Sequence, residues 1–189
     1  GNKFIAQSFK RKASLAIVNK IQNKFNNKHQ IKVKNTLKFL TDVSKAFRKG
    51  IDTKVIAITG SCGKTTLKEL LGNVLSKISK VSISTKSYNN KFGVPLSLFN
   101  LKQNDEYGIL EVGMDKKGEI DYLSKIIEPN VGVITNINYA HAKNFKNIKQ
   151  IALAKSEIIN NISPNGFVVL NADDNFFELH KKIAYKKNL

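Results

Sequence analysis

The sequence has little of several residue types and patterns that mark particular classes of protein. Among its 189 residues there is one cysteine, Cys62, and there is no tryptophan. A single cysteine excludes an internal disulfide framework and fits a reducing compartment, so we expect a cytoplasmic protein. No run of roughly eighteen apolar residues occurs, so we expect no membrane span, and no signal-peptide pattern opens the chain. The first residue is Gly1 rather than Met, so we expect a fragment or a processed chain.

Arginine is also scarce, although the chain is strongly basic. Arg11 and Arg48 are the only arginines, so the formal net charge of +18 comes from lysine. Base-specific contacts favour arginine, because its guanidinium can form two hydrogen bonds with one base. Lysine, asparagine, isoleucine and phenylalanine share A/T-rich codons, so genome composition is a sufficient cause of the charge. We expect a solvated surface and no nucleic-acid partner; the alternative is a lysine-rich nucleic-acid-binding protein.

The order of apolar segments predicts an α/β fold. From Ile51 onward, short apolar runs typical of strands alternate with segments of helical spacing, which indicates a mostly parallel sheet with helices on both faces. The expected strands are KVIAIT, KVSIST, YGILEV, VGVIT and GFVVLN, and the expected helices are TTLKELLGNVLSKI, VPLSLFNL, GEIDYLSKII and KNIKQIALAKSEIINNI. Residues 1–50 contain two shorter strand candidates, LAIVN and IKVKN, and read as part of a separate, smaller α/β unit.

A glycine-containing loop, ITGSCGKTT at residues 58–66, joins the first strand of the larger segment to its first helix. Gly60 and Gly63 let the backbone turn tightly and approach an anion. The start of the following helix adds free N–H groups and a partial positive charge. The loop is a shortened relative of the P-loop, since Ile58 stands where the longer pattern needs glycine.

The last residues of this loop supply the chemistry that a phosphate chain needs. Lys64 can reach outer phosphates as a point charge. Thr65 can offer its hydroxyl to Mg²⁺, and Thr66 can assist with phosphate. The alternative is a strand-to-helix turn that carries an exposed lysine.

Further polar residues follow other expected strands, at the sheet edge where parallel sheets bind ligands. Glu111 closes an apolar strand, where a carboxylate needs a metal or another partner; it can also cap a helix or pair with a lysine. His141 follows a later strand and is one of three histidines, either a functional or an incidental one. Asn171 follows the last strand and can contact a nucleotide base, form a turn or cap a helix.

The helix expected over residues 148–162 has a lysine in its apolar stripe. At about 100° per residue, Lys155 falls in the middle of this stripe. Burial lowers the pKa of a lysine and supplies a neutral amine, which can react with CO₂ to form a carbamate, an anionic metal ligand. The alternative is that the stem packs and the ammonium group reaches water. The stripe contains Ile148, Ile151, Ala152, Ile158, Ile159 and Ile162, and the other faces carry Lys149, Gln150, Ser156, Glu157, Asn160 and Asn161.

Five blocks follow one another along the chain: TGSCGKTT, SYNNKFGVPLSL, LEVGMDKKGEI, VITNINYAH and IALAKSEI. In this order they resemble the ATP-binding central domain of the Mur ligases. The second and third blocks are most similar to the MurF type, the UDP-N-acetylmuramoyl-tripeptide–D-alanyl-D-alanine ligases. The resemblance runs from about residue 31 to the end of the chain and is weaker before it.

The resemblance implies an ATP-dependent ligase of peptidoglycan precursor synthesis. Such an enzyme phosphorylates the carboxylate of UDP-N-acetylmuramoyl-tripeptide, and the amine of D-alanyl-D-alanine attacks the acyl phosphate. The alternative is another member of the superfamily, which adds a different amino acid or acts on a folate. A P-loop ATPase that does not ligate is a further alternative.

The resemblance also implies roles for individual residues. Two Mg²⁺ ions are expected, one held by Thr65 and Glu111 and one by His141 and a carbamylated Lys155. Lys64 joins His141 and Lys155 as a catalytic residue. The residues expected to bind ATP are Gly60, Ser61, Cys62, Gly63, Lys64, Thr65, Thr66, Asn90 and Asn171, with Asn89 near the junction of nucleotide and substrate.

The resemblance finally implies how the chain is organised. Residues 1–50 would be the C-terminal part of a UDP-sugar-binding N-terminal domain, and residues 51–189 an incomplete ATP-binding central domain. The family's C-terminal domain would be absent. We therefore expect a monomeric fragment that does not ligate by itself.

Overall fold

A computed structural model describes residues 2–85, 88–139 and 144–189. It contains two units, Gly1–Val43 and Ser44–Leu189. In the first unit, strands β1 (Ala16–Val18) and β2 (Gln30–Lys32) form a parallel pair. The unit also contains helix α1 (Ile5–Lys10), 3₁₀ turns at Asn2–Phe4 and Asn27–His29, and the beginning of helix α2 (Thr36–Lys49), which ends in the second unit.

The second unit is a five-stranded sheet in which every neighbouring pair of strands is parallel. The strand order is β4-β5-β3-β6-β7. The strands are β3 (Lys54–Thr59), β4 (Val81–Ile83), β5 (Tyr107–Glu111), β6 (Val131–Ile134) and β7 (Phe167–Leu170). The helices are α3 (Lys64–Leu75), α4 (Gly93–Phe99), α5 (Glu119–Ile127), α6 (Ile148–Ser156) and α7 (Phe177–Tyr185). The predicted α/β fold is confirmed.

Helices cover both faces of this sheet, because successive strand residues point to opposite sides. On one face, Ile58, Ile109 and Val133 form an apolar cluster. Three leucines of α3 pack against it: Leu67, Leu71 and Leu75. On the other face, a larger apolar cluster joins the sheet to residues of α4, α5, α6 and α7. The continuous apolar strand sequences are therefore explained by burial on two sides.

The strand order brings three loops together at the carboxyl edge of the sheet. In the register of β3 with its neighbours, Ile58 lies opposite Glu111 of β5 and Thr59 lies opposite Ile134 of β6. The glycine loop that follows β3 is thus flanked by the end of β5 and by the segment that follows β6. This is the edge at which open parallel sheets bind ligands.

Several expected elements differ from the observed ones at their ends. The helix predicted over residues 148–162 is α-helical only to Ser156 and continues as a 3₁₀ helix, Glu157–Asn161. Helix α7 is not among the predicted elements, although two of its residues, His180 and Ala184, are buried. Within the described ranges, no helix is both long and apolar enough to cross a membrane.

Candidate functional site

The glycine loop is shaped by two residues with positive φ angles. Gly60 has φ 148° and Gly63, the N-cap of α3, has φ 79°. A Cβ atom on Gly60 would lie 1.8 Å from the Thr135 hydroxyl oxygen, whereas one on Gly63 would meet nothing within 4 Å. The first glycine is therefore needed for close packing as well as for its backbone conformation.

The segment that follows β6 holds the loop in place. The Ser61 N–H donates to the Asn136 carbonyl at 2.9 Å, and the Cys62 N–H donates to Asn136 Oδ1 at 3.0 Å. In the other direction, the Thr135 hydroxyl donates to the Cys62 carbonyl at 2.7 Å. The Ser61 hydroxyl donates to the Asn138 carbonyl at 2.9 Å. These bonds fix the loop while the first N–H groups of α3, which have no acceptor within the helix, remain available for an anion.

Two lysines converge on one carbonyl of this loop. The Nζ atom of Lys64 donates to the Gly60 carbonyl at 2.9 Å, and the Nζ atom of Lys155 donates to the same oxygen at 2.8 Å. Lys155 is only 2% exposed. The prediction that this lysine is buried is confirmed, and the alternative of a lysine that reaches water is wrong.

The surroundings of Lys155 favour its neutral amine. Burial, and then the nearby positive charge of Lys64, lower its pKa from 10.5 to about 7, while Cys62 acts in the opposite direction. Near neutral pH a substantial fraction of the side chain is therefore an uncharged nucleophile. This is the form of lysine that can react with CO₂.

Glu111 connects two other parts of the site. It is 2% exposed, and its Oε2 accepts a 2.7 Å hydrogen bond from the Thr65 hydroxyl. Its Oε1 accepts a 2.8 Å hydrogen bond from Nδ2 of Asn89. The described residues contain no salt bridge from a lysine to this carboxylate. A carboxylate and a hydroxyl at the start of α3 are hard oxygen donors, which fit Mg²⁺.

A cavity of about 530 Å³ adjoins these residues. Lys64 and Lys155 line it, together with Asn89 and Asn90. Its lining has five lysines and two acidic residues, so its field favours an anionic ligand. The site thus combines a phosphate-type loop, a buried carboxylate, a buried amine and space for a substrate.

Residues 58–189 match the family described as the Mur ligase middle domain. The chain belongs to the Mur ligase family. The predicted resemblance is confirmed, and the loop, Glu111 and Lys155 all lie within the matched segment.

Curated relatives support the MurF type within the family. A UDP-N-acetylmuramoyl-tripeptide–D-alanyl-D-alanine ligase of Buchnera aphidicola subsp. Acyrthosiphon pisum is 40% identical over 157 residues, 83% of this chain and 34% of that protein. The ligase of the same name from Rickettsia prowazekii is 36% identical over 190 residues, 100% of this chain and 42% of that protein. The chain therefore spans about two fifths or less of the length of these relatives.

Solved structures support the same assignment. MurF from Acinetobacter baumannii has a TM-score of 0.89 and 36% identity, and the match covers 97% of this chain and 40% of that one. The MurF ligase from Thermotoga maritima in complex with ADP has a TM-score of 0.85 and 28% identity, covering 98% of this chain and 42% of that one. A folylpolyglutamate synthetase from Helicobacter pylori, with 16% identity and a TM-score of 0.59, shares the fold alone.

Three predicted ligand residues remain predictions in this Mur ligase chain. The Asn90 side chain accepts from the N–H groups of Phe92 and Gly93, at 3.0 Å each, at the start of α4. The Asn171 side chain accepts from the Asp173 N–H at 3.0 Å, which is the turn that its sequence position allowed. His141 lies outside the described residues.

The metal prediction has a similar status. The described residues contain no group of three or more His, Cys, Asp or Glu side chains that could hold a metal. The predicted donors are of a different composition, since they include the hydroxyl of Thr65 and the amine of Lys155. Their roles as metal ligands stay predictions.

Sequence reasoning missed two residues that shape the site. Asn136, which holds the glycine loop, was not distinguished from its polar neighbours in TNIN. Glu157 was expected on the exposed side of its helix. Its carboxylate instead accepts hydrogen bonds from the N–H groups of Gly118, at 2.9 and 3.1 Å, and of Asp121, at 3.1 Å, at the N-terminus of α5. Burial raises the pKa of Glu157, against the effect of these hydrogen bonds.

Proposed function

We propose that the chain is the catalytic core of an ATP-dependent amide-bond-forming ligase of peptidoglycan precursor synthesis. The reaction adds D-alanyl-D-alanine to UDP-N-acetylmuramoyl-tripeptide through an acyl phosphate. The observation that carries the proposal is the 2.7 Å hydrogen bond between Thr65, at the start of the loop helix, and the buried carboxylate of Glu111. This bond joins a loop of the phosphate-binding kind to a carboxylate that can bind a metal ion, within a Mur ligase middle domain.

The nucleotide would lie along the glycine loop. The first N–H groups of α3 would receive phosphate oxygens, and Lys64 would exchange the Gly60 carbonyl for an outer phosphate. Thr65 and Glu111 would hold one Mg²⁺ through oxygen atoms. Bound Mg²⁺ supplies charge neutralisation for the phosphoryl group during transfer to the peptide carboxylate.

Lys155 would provide the second metal position after it reacts with CO₂. In this reaction the neutral amine forms an N–C bond with CO₂ and releases a proton, which gives a carbamate. The lowered pKa of Lys155, about 7, supplies the neutral amine without a strong external base. His141 would be the second protein ligand at this position. Together with Lys64, these two residues form the proposed catalytic group.

The remaining assignments concern the whole protein. Residues 1–50 would belong to a UDP-sugar-binding domain and residues 51–189 to an incomplete central domain, with Asn90 and Asn171 near the nucleotide. We propose a cytoplasmic monomer without a nucleic-acid partner. The family's C-terminal domain would complete the ATP site.

An alternative within the family is a ligase for a different pair of substrates. A pseudomurein peptide ligase type C from Methanothermus fervidus is 27% identical, with a TM-score of 0.63. That identity is lower than the 36% of MurF from Acinetobacter baumannii, which favours the MurF reaction.

The deciding experiment measures phosphate release from Mg-ATP by a protein that carries these residues at the length of its relatives. UDP-N-acetylmuramoyl-tripeptide and D-alanyl-D-alanine are supplied separately and together, and products are identified by mass. Release that needs both substrates and yields the pentapeptide supports the proposal. Release with the tripeptide and another amine would keep the mechanism and change the substrate. No release under any combination would contradict the ligase function.

A further inference from the structure

Lys68 is a second buried lysine, and the proposed reaction assigns it no role. It lies on α3, three residues after Thr65, and its side chain is completely buried. Burial of an ammonium group is unfavourable unless hydrogen bonds and opposite charge replace the lost water. A lysine at such a position therefore indicates a specific set of partners.

Two of the partners of Lys68 lie on α3 and directly after β4. Its Nζ atom donates to the Ser84 carbonyl at 2.7 Å and lies 3.1 Å from Oε1 of Glu69. Ser84 directly follows β4 and is itself buried. The contact thus joins the helix of the glycine loop to the start of the β4–α4 connection.

Ser84 also contacts β5, through its hydroxyl and its backbone N–H. The Glu111 N–H donates to the Ser84 hydroxyl at 3.3 Å, and the Ser84 N–H donates to the Ile109 carbonyl at 2.9 Å. Lys68 and the backbone of Glu111 therefore meet on one residue. A displacement of Ser84 would be felt directly at Glu111.

The same connection carries Asn89, whose side chain also contacts the Glu111 carboxylate. Asn89 donates to Glu111 at 2.8 Å, and its carbonyl accepts from the Gly113 N–H at 2.8 Å. A Cβ atom on Gly113 would lie 2.8 Å from the Asn89 side chain, so the approach is close. Thr65 of α3 holds the other carboxylate oxygen at 2.7 Å. Helix α3 thus reaches this network twice, through Thr65 and through Lys68.

We propose that Lys68, through its contact with Ser84, is a positioning residue that sets Glu111 and Asn89 for the metal ion of the nucleotide. We call this contact the Lys68–Ser84 anchor. It ties α3 to the β4–α4 connection, so that Thr65 and Asn89 can hold the two oxygens of Glu111 at the same time. The inference rests on the proposed function, because it assumes that Mg²⁺ and a nucleotide bind at this loop.

The test is the gain in ADP affinity that Mg²⁺ produces. ADP is titrated by calorimetry, once with Mg²⁺ and once with a chelator, into a protein that carries these residues at the length of its relatives. Lys68→Met keeps a long apolar side chain and removes the donor. We expect the affinity without Mg²⁺ to stay within about twofold, because the loop N–H groups and Lys64 are unchanged. The Mg²⁺-dependent gain is expected to fall about 10-fold or more, as for other residues that orient metal ligands.

Leu71→Ala is the matched control on the same helix. Leu71 packs against the apolar cluster of Ile58, Ile109 and Val133. Its side chain is apolar, so it forms no hydrogen bond with Lys68 or Ser84. It is expected to lower thermal stability while leaving the Mg²⁺-dependent gain unchanged. A purely structural role of Lys68 would make Lys68→Met behave like this control, and the proposal would then be wrong.

A second variant keeps the test decisive if Lys68→Met does not fold. Ser84→Ala removes the hydroxyl that receives the Glu111 N–H and changes little volume. The variant keeps the Ser84 carbonyl that accepts from Lys68, so it breaks only the link from the anchor to Glu111. A full Mg²⁺-dependent gain in Ser84→Ala would overturn the proposal that the anchor positions Glu111, and a reduced gain supports it. If the unaltered protein at the length of its relatives binds no ADP, the proposed nucleotide site fails. If Mg²⁺ raises the ADP affinity of the unaltered protein and of both variants, Lys68→Met and Ser84→Ala, by the same factor, the nucleotide site stands and the role of the anchor is wrong.

Discussion

At the scale of single residues, the two loop glycines are expected to differ in how well they tolerate alanine. Gly60→Ala would place a Cβ atom 1.8 Å from the Thr135 hydroxyl oxygen, in addition to backbone strain at φ 148°. Gly63→Ala meets only the strain of its positive φ, because its side is open. We predict that Gly60→Ala abolishes ADP binding and that Gly63→Ala weakens it about 10-fold, which corresponds to roughly 1 to 2 kcal/mol of left-handed strain.

Calorimetric titration of ADP into both variants checks this order. Circular dichroism serves as the control for folding. Equal ADP affinities in the two variants would show that the close approach of Thr135 is not the reason why position 60 needs glycine.

Lys155 is expected to make stability depend on pH in the alkaline range. Its pKa is 10.5 when exposed and about 7 in the folded chain, so between these values the unfolded chain binds more protons. Stability from this group therefore rises as pH increases from about 7 toward 10, by roughly 1 kcal/mol per pH unit. We predict that urea-unfolding curves of the wild-type chain gain stability relative to Lys155→Met over this range.

Lys125→Met is the control for this measurement. The Lys125 side chain is 56% exposed and pairs with Asp121, so this variant removes a surface lysine and leaves the buried amine in place. The lowered pKa would be contradicted if the free energies of unfolding of the wild-type chain and Lys155→Met changed in parallel from pH 7 to 10.

The proposed carbamate gives a separate prediction for the same residue. Lys155→Ala is expected to abolish the proposed phosphate release by a protein that carries these residues at the length of its relatives, since it removes the anionic ligand. A short carboxylic acid is expected to restore part of the activity, because it can supply a carboxylate in the vacated space. Full activity of Lys155→Ala without any addition would remove Lys155 from the mechanism.

Some site residues could be predicted from the sequence because their signals are local. Lys155 interrupts a helical apolar stripe, and Glu111 ends an apolar strand, so each is conspicuous among its own neighbours. Asn136 and Glu157 gave no such signal. Their functions depend on a loop and a helix end that lie 74 and 39 residues away in the chain, and only the folded structure brings these together.

At the scale of secondary-structure elements, the end of α5 carries a residue in an unfavourable conformation. Glu128 is the C-cap of α5 with φ 44° and ψ 66°, in the left-handed region where glycine is preferred. We predict that Glu128→Gly stabilises the chain by about 1 kcal/mol, because its backbone carbonyl still accepts from Arg48 while the strain is removed. Urea denaturation of the two chains measures the difference.

Asn165→Gly is a suitable control for this prediction. Asn165 also has a positive φ, 62°, but asparagine tolerates this region better than glutamate does. The gain at position 165 should therefore be smaller. A loss of stability in Glu128→Gly would show that its side-chain charge beside Arg48 matters more than the backbone strain.

The helices and strands themselves were mostly predictable, but their ends were not. Alternating apolar runs indicate buried strands whatever their partners are, whereas a strand ends where its partner stops offering hydrogen bonds. β4, expected over KVSIST, pairs with β5 only over Val81–Ile83 in the described residues, although β5 itself continues to Glu111. Similarly, a spacing of 3.6 residues does not distinguish the last turns of α6 from the 3₁₀ helix that follows.

At the scale of the whole molecule, the sheet order determines the site, and periodicity alone does not contain this order. Alternation of strands and helices predicts parallel neighbours without saying which strands they are. The observed order places β3 between β5 and β6, so Glu111 and the segment after β6 flank the loop. The blocks that resemble Mur ligases carried this information indirectly, because they include residues after each of these three strands.

The net charge of +18 leads to the last prediction, which concerns the whole surface. If the lysines are solvated and serve no nucleic acid, a random DNA duplex should bind only as a general polyanion. The dissociation constant of the DNA complex is then expected to be larger than about 1 μM at physiological salt and to rise steeply with salt. Fluorescence anisotropy with labelled DNA at several salt concentrations measures this, with Mg-ADP titrated in parallel. Lys64→Ala should weaken ADP binding and leave DNA binding unchanged. Nanomolar, salt-resistant DNA binding that survives Lys64→Ala would favour a nucleic-acid-binding protein, because the charge would then form a specific surface rather than a solvated one.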